Sequence, residues 1–223
     1  MNYSLCMQST YQYVNIALCN GQEIIEVSSV PNNASSATLV SHIDALLKKH
    51  AFPLANCSYI AVNQGPGPFT TLRAILATAQ GIADATNIPL IGIDGLKGLI
   101  ESHRSAEDSY TIALLNAFNN EYYYAIASRK ECITGYGTPM MIKSLIQEIV
   151  GDNTALVIGN GIPIIKKNPD FDINSNLIRF NPTKEHCSID DIATLGYVAW
   201  KNNQATHNQL MPLYLKKHAA ERV

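Results

Sequence analysis

The chain has 223 residues, 47% of them hydrophobic and 15% charged, with a formal net charge of −2. That length holds one large domain or two small ones, and the apolar content supports a substantial core and excludes a disordered chain. The near balance of charge provides no global positive field for autonomous binding to RNA or to an anionic membrane.

The first third reads as three antiparallel strands, Tyr3 to Met7, Val14 to Cys19 and Glu23 to Ser28, with Asn20-Gly21 as a two-residue hairpin signal. After Pro31-Asn32-Asn33 a helix is predicted over 36–50, where Leu39, Val40, Ile43, Leu46 and Leu47 form one broad apolar stripe. A single stripe of that kind ordinarily faces the core of its own domain. Tyr59 to Asn63 follows as a short buried strand. It runs into Gly65-Pro66-Gly67-Pro68-Phe69-Thr70-Thr71-Leu72-Arg73, the most informative stretch of the sequence.

Glycines at 65 and 67 tolerate positive φ or close approach, while Pro66 and Pro68 remove two donors and stiffen the turn. Thr70 or Thr71 is placed to cap the helix that follows. The turn lacks the Lys-Ser/Thr pair of a Walker loop and the third glycine of a dinucleotide fingerprint. A stiff turn without a ligand and a helix N-terminus near a nucleotide phosphate both remain open, the latter involving Gly65, Gly67, Phe69, Thr70 and Arg73.

The helix itself, to about Thr86, carries an apolar stripe of Leu72, Ile75, Leu76, Ala79, Ile82 and Ala83 that would cover a sheet. Another face holds Ala74, Ala77, Thr78, Gly81 and Ala85, a seam of small side chains that lets a second helix approach closely. Helices coated this way are usually buried on two sides, and the two helices together imply an interface. A strand at Leu90 to Ile93 and a short helix at Gly95 to Ser102 complete the half, giving a mixed sheet with helices packed on it.

From Tyr110 the pattern partly restarts. Strands at Thr111 to Asn116 and Tyr122 to Ser128 flank Asn119-Asn120, and a third strand follows Cys132. A helix over Ile142 to Val150, a strand at Ala155 to Ile158 ending in Gly159-Asn160-Gly161, and a helix over Ile189 to Lys201 capped near Ser188 follow. Residues 166–187 show little periodicity and read as loop. Repetition implies two related lobes, 1–104 and 105–223, the second reduced.

Chemical motifs are sparse. His42, His50, His103, His186, His207 and His218 form no His-x-x-x-His or His-Glu-x-x-His pair and read as surface or helix-end residues. Ser9, Ser35 and Ser41 have no Gly-x-Ser-x-Gly setting. Asp94 after a strand is an ordinary helix cap, and Tyr122-Tyr123-Tyr124 alternates as sheet packing. The lysine pairs at 48 and 49, 166 and 167, and 216 and 217 read as solvated surface. Cys6, Cys19, Cys57, Cys132 and Cys187 are odd in number and lack a Cys-x-x-Cys pair, which fits reduced thiols. With no leader-like start and no stretch of bilayer-spanning length, the expected location is the cytoplasm, with no membrane partner.

Gly65 to Arg73, with Ala79-Gln80-Gly81-Ile82-Ala83 downstream, resembles the Gly-Pro-Gly-Ser-Phe-Thr-Gly-x-Arg and Ala-Gln-Gly-Leu-Ala motifs of the bacterial TsaB (YeaZ) family of tRNA threonylcarbamoyladenosine biosynthesis proteins. The tail Met211-Pro212-Leu213-Tyr214-Leu215-Lys216 is similar to that family's Pro-x-Tyr-Leu-Arg ending. The resemblance implies an α/β fold of the actin-like, sugar-kinase-like (ASKHA, ribonuclease H-like) kind, two-lobed with mixed sheets.

It also implies a non-catalytic scaffold subunit with no cofactor of its own, partnered by a TsaD-like ligase and a TsaE-like ATPase. The complex would modify the adenosine 3′ of the anticodon in ANN-decoding tRNAs, meeting tRNA mainly through the assembly. A homodimer and a nucleotide at the partner interface stay open alternatives. Carried over, the interface takes Leu39, Ile43, Leu46, Leu72, Ile75, Leu76 and Ala79, and the tail takes Pro212, Tyr214, Leu215 and Lys216.

The sequence departs from the family where Gln8-Ser9-Thr10 replaces Asp-Thr-Ser, where Asn116 and Asn120 replace Asp and Gly, and where Ser35 replaces a His. Loss of the first carboxylate removes a hard oxygen ligand. It weighs against the rival reading, an ATP-dependent phosphotransferase of the same fold. A glycoprotein-directed peptidase, the third reading, lacks metal-ligand spacing.

Overall fold

The computed structural model describes residues 2–169, 171, 173, 176–206 and 208–216. His207, His218 and Lys217 therefore lie outside the described residues. The chain divides into two compact units, residues up to Gly95 together with Ser188–Leu213, and Leu96–Cys187 together with the chain from Tyr214.

The first unit opens with strands β1 (Tyr3–Ser9), β2 (Tyr13–Asn20) and β3 (Glu23–Pro31), an antiparallel meander. Gly21 turns the β2–β3 hairpin at φ +64°, a left-handed position that glycine takes without penalty. Helix α1 (Asn32–Lys49) follows, then β4 (Tyr59–Asn63), α2 (Phe69–Thr86) and β5 (Leu90–Ile93). β4 lies parallel to β1, and β5 parallel to β4, giving the sheet order β3-β2-β1-β4-β5. β4 is buried at all five residues, the mark of a strand covered on both faces.

Helices α1 and α2 pack side by side on the sheet and share one core with Leu5, Met7, Ile16, Ile60 and Val62. α2 ends where Asn87 takes a left-handed conformation, φ +61°.

Helix α3 (Gly95–His103) begins the second unit, followed by β6 (Tyr110–Asn116), β7 (Tyr122–Ala127), β8 (Cys132–Gly137), α4 (Pro139–Val150), β9 (Ala155–Ile158), α5 (Ile162–Ile165) and β10 (Ile178–Asn181). Their sheet order, β10-β9-β6-β7-β8, repeats the first sheet strand for strand, as the restarted pattern at Tyr110 predicts. α4 starts at Pro139 behind the Thr138 cap, three residues before the apolar run suggests, because proline is tolerated at the first helical position.

Helix α6 (Ile189–Lys201) closes the series, fixed by a capping box between Ser188 and Asp191. It packs on β1, β4 and β5, so Ser188–Leu213 belongs with the first unit, and the boundary differs from a single break between 104 and 105. Gly196 makes this seat possible, since a Cβ there would lie 2.7 Å from Ala61 Cβ. Trp200 on the same helix stacks on Tyr59 with ring centroids 5.3 Å apart.

The segment 166–187, expected to be loop, holds β10. Its four residues are partly exposed, with Arg179 outward on Asp108 and Glu107, so no apolar run marks it. Tyr122 and Tyr124 are buried and Tyr123 half-buried, the alternation expected of sheet packing. Among the described residues no helix is long and apolar enough to cross a membrane.

Candidate functional site

The turn between β4 and α2 is built as its glycines and prolines require. Gly65 sits at φ +102° with a would-be Cβ 2.9 Å from Leu72, so a side chain there meets both strain and a packed neighbour. Its N–H donates to Asn63 Oδ1 at 2.8 Å, and its carbonyl accepts from Gly95 N–H at 2.7 Å. The expected threonine cap does not form. Pro68 is the N-cap without a side-chain bond, and Thr71 lies inside the first turn, buried, its hydroxyl 2.6 Å from Ser9 Oγ. Thr70 is exposed. Arg73 lies over the Phe69 ring, 3.7 Å from its centroid, forming an exposed cation–π pair at the helix start.

At the end of β1 the side chains facing this turn are neutral. Gln8, 1% exposed, accepts from Asn63 Nδ2 at 2.9 Å, beside the Ser9–Thr71 pair. In the second unit the matching hairpin carries Asn116, whose carboxamide oxygen accepts from Phe118 N–H at 2.9 Å. Amides and hydroxyls that satisfy one another give a divalent cation weaker ligands than the carboxylates hard cations prefer. Among the described residues no group of three His, Cys, Asp or Glu side chains is placed to hold a metal ion.

The structure places all seven helix residues assigned to an interface, Leu39, Ile43, Leu46, Leu72, Ile75, Leu76 and Ala79, in the core of the first unit at 5% exposure or less. They hold α1 and α2 on the sheet, and little of their surface reaches solvent. The exposed face of the two helices lies beside them. On α2, Ala77, Gly81 and Ala85 are exposed and Ala74 and Thr78 half-buried, which is the small-residue seam the sequence shows. A Cβ at Gly81 would meet nothing within 4 Å.

On α1, Val40 stands 63% exposed, against the reading that it belongs to the core stripe. Between the helices and the segment after α1 runs an apolar groove of about 540 Å³, lined by Val40, Leu47, Phe52, Pro53, Leu54 and Ile82 among others, with the Asp44–Lys48 ion pair also in its lining. The groove escaped the sequence because Phe52, Pro53 and Leu54 belong to no periodic element.

The other end of α1 is tied to the sheet edge. Lys49 Nζ and His50 Nε2 both reach the Glu26 carboxylate, at 2.7 and 2.8 Å, and hold that carboxyl below its ordinary range. The tail is tied down too. Leu213 N–H donates to Gln64 O at 2.9 Å, and Gln64 Nε2 donates to Met211 O at 2.8 Å, while Pro212 is half-buried. In the second unit, Tyr214 is exposed, Leu215 half-buried, and Lys216 bonds Ala117 O and the Glu121 carboxylate. Leu213 and Lys216 thus anchor the tail, each within its own unit.

Two mixed five-stranded sheets of one repeated topology, each with helices, define an α/β protein of the actin-like, sugar-kinase-like class. The family model described as TsaD, tRNA N6-adenosine threonylcarbamoyltransferase, matches residues 27–138, half of the chain. The chain belongs to that family, and its relatives place it with the TsaB (YeaZ) proteins.

It is 23% identical over 184 residues to the tRNA threonylcarbamoyladenosine biosynthesis protein TsaB of Buchnera aphidicola, covering 76% of this chain and 83% of that one. TsaB of Escherichia coli is 21% identical over 156 residues, 66% of this chain and 68% of that protein. The fold is similar to YeaZ from Pseudomonas aeruginosa, with a TM-score of 0.73 at 18% identity, covering 96% of this chain and all of the other.

Proposed function

We propose that this protein is a scaffold subunit in the biosynthesis of tRNA threonylcarbamoyladenosine, catalytically silent alone, that binds a TsaD-like ligase through the outer faces of α1 and α2. The observation that carries the reading is the open seam Ala74-Ala77-Thr78-Gly81-Ala85 beside exposed Val40 and the apolar groove. Small side chains leave the helix backbone approachable, and the groove offers a pocket for a large apolar anchor from the partner. The TsaB names of its relatives supply the pathway. A TsaE-like ATPase joins the assembly in this reading, and tRNA is met through the complex.

The interface is tested by substituting the open face. Gly81→Arg and Val40→Asp should each weaken association with a TsaD-like partner by at least about tenfold while leaving the fold intact, as central interface positions do. Undiminished association in the double variant removes this face from consideration. Ile75→Glu or Ala79→Arg would not test it, since both positions are fully buried and a charge there unfolds the unit itself.

The rival phosphotransferase is disfavoured by the neutral Gln8–Asn63 and Ser9–Thr71 pairs. Robust nucleotide turnover by the isolated chain, lost on Gln8→Ala, would reverse that ranking. Depletion of the protein followed by mass analysis of tRNA nucleosides tests the pathway, with loss of threonylcarbamoyladenosine as the expected result.

A further inference from the structure

The turn that joins β6 to β7 holds three consecutive non-glycine residues in the left-handed region, Phe118 at φ +60°, Asn119 at +53° and Asn120 at +56°. Asparagine visits this region readily, but a phenylalanine there crowds its Cβ against the following carbonyl. Such a conformation persists only where the surroundings over-determine it. Here they do. Asn116 Oδ1 accepts from Phe118 N–H at 2.9 Å, Asn120 Oδ1 accepts from Asn168 Nδ2 at 2.8 Å, and Ala117 N–H donates to Glu121 O at 2.9 Å.

Glu121 N–H also donates to Phe118 O at 3.0 Å, closing the turn from within. Further contacts come from the tail. Lys216 Nζ donates to Ala117 O at 3.2 Å and pairs with the Glu121 carboxylate, so one ammonium group spans both ends of the turn. Both side chains of that pair are about one-fifth exposed, which strengthens the attraction relative to a fully solvated pair. Phe118 is meanwhile 58% exposed, so burial of its ring does not account for its backbone.

We infer that the tail is a strap: Lys216 holds the Ala117–Glu121 turn in a left-handed conformation that the turn relaxes from when the lysine is withdrawn. Any partner that takes up the tail would thereby change the shape of the β6–β7 turn. This goes beyond the scaffold reading and does not depend on it, because every group involved lies in this chain.

Amide hydrogen exchange of the full-length protein tests the strap residue by residue. Lys216→Met should speed exchange at Ala117 and Glu121 by about tenfold or more through local opening, while Leu114 and Tyr124 in the flanking strands keep their wild-type rates. Glu121→Gln should give a smaller increase at the same amides. In a Phe118→Gly background, where the left-handed conformation no longer strains a side chain, Lys216→Met should change those rates by less than about threefold.

Unchanged exchange in Lys216→Met overturns the strap, and so does a uniform rise across the unit, which would make the tail a general stabiliser. An undiminished effect in the Phe118→Gly background overturns the claim that left-handed strain is what the lysine restrains.

Discussion

The two units share one sheet order but differ in the helix that follows their central glycine turn. In the first, Gly65-Pro66-Gly67 leads into α2, 18 residues long; in the second, Gly159-Asn160-Gly161 leads into α5, of four. Gly65 and Gly159 both take large positive φ, +102° and +115°. The turn is thus a requirement of the repeated fold, and the long helix with its two faces is what the first unit adds. An element that exceeds what its own sheet needs for cover is where a binding surface is to be sought, and α2 exceeds it by the whole seam from Ala74 to Ala85.

The sharpest break of this comparison is Gly159→Ala. A Cβ at Gly159 would lie 2.0 Å from Leu114 O, and the positive φ adds strain, so the loss should be on the order of 4 kcal/mol or more. Trp200, the protein's one tryptophan, sits in the first unit, so its fluorescence follows that unit. Urea titration should show the far-UV circular dichroism falling early while the Trp200 transition moves less. Coincident early transitions would mean the units do not unfold separately.

Ile75→Ala should act in the opposite unit, costing about 2–5 kcal/mol for a fully buried isoleucine and moving the Trp200 transition. A cost below about 1 kcal/mol would contradict the core position that the structure gives this residue. On the other face of the same helix, Gly81→Ala removes backbone freedom in open space and should stabilise by about 0.5–1 kcal/mol. A destabilised Gly81→Ala protein would show that the seam is already occupied within the chain. Together the two substitutions separate the sheet face from the outer face of one helix.

Thiol chemistry sharpens the contrast between buried and open positions more gently. Cys6, Cys19 and Cys57 are buried together in the first unit, with Cys6 and Cys19 sulfurs 3.7 Å apart. Burial pushes the Cys57 thiol up to about 11, and the Cys6 thiol, hydrogen-bonded by Cys19 and desolvated, is also raised. The thiolate is the reactive form, so these should stay unmodified by an aqueous thiol reagent at neutral pH while exposed Cys132 reacts. Labelling of Cys57 at a rate near that of Cys132 would place the first core in exchange with an open state.

Much of this contrast is legible in the sequence, and the exceptions have causes. Apolar spacing places β4, β5, α2 and α6 where the structure has them because those elements are covered and punctuated by Gly, Pro or a Ser cap. Periodicity says which side chains share a stripe, but not whether the surface they meet belongs to the same chain. The spacing of Leu72, Ile75 and Leu76 reads as core, and only the resemblance to the TsaB (YeaZ) family carries them to an interface. The small seam is a signal of another kind, since residues with nothing to bury need another reason to exclude charge. β10 was invisible for a complementary reason, being four residues in which hydrophobic Ile178 and Phe180 alternate with Arg179 and Asn181 on a partly open edge.

The smallest effect concerns the clamp that ties α1 to the edge strand β3. Lys49 and His50 lower the Glu26 carboxyl, so the group is bound more favourably as a carboxylate in the folded chain than in the unfolded one. A depressed folded value contributes stability that is present above the unfolded glutamate range and is lost as pH falls through the folded value. Wild type should therefore melt above Glu26→Gln at neutral pH, and the difference should shrink to nothing below the ordinary glutamate range near 4.3. Salt should narrow the same gap, since the pairs are partly solvated. A gap that widens on acidification would reverse the sign of the clamp and contradict a lowered Glu26 carboxyl.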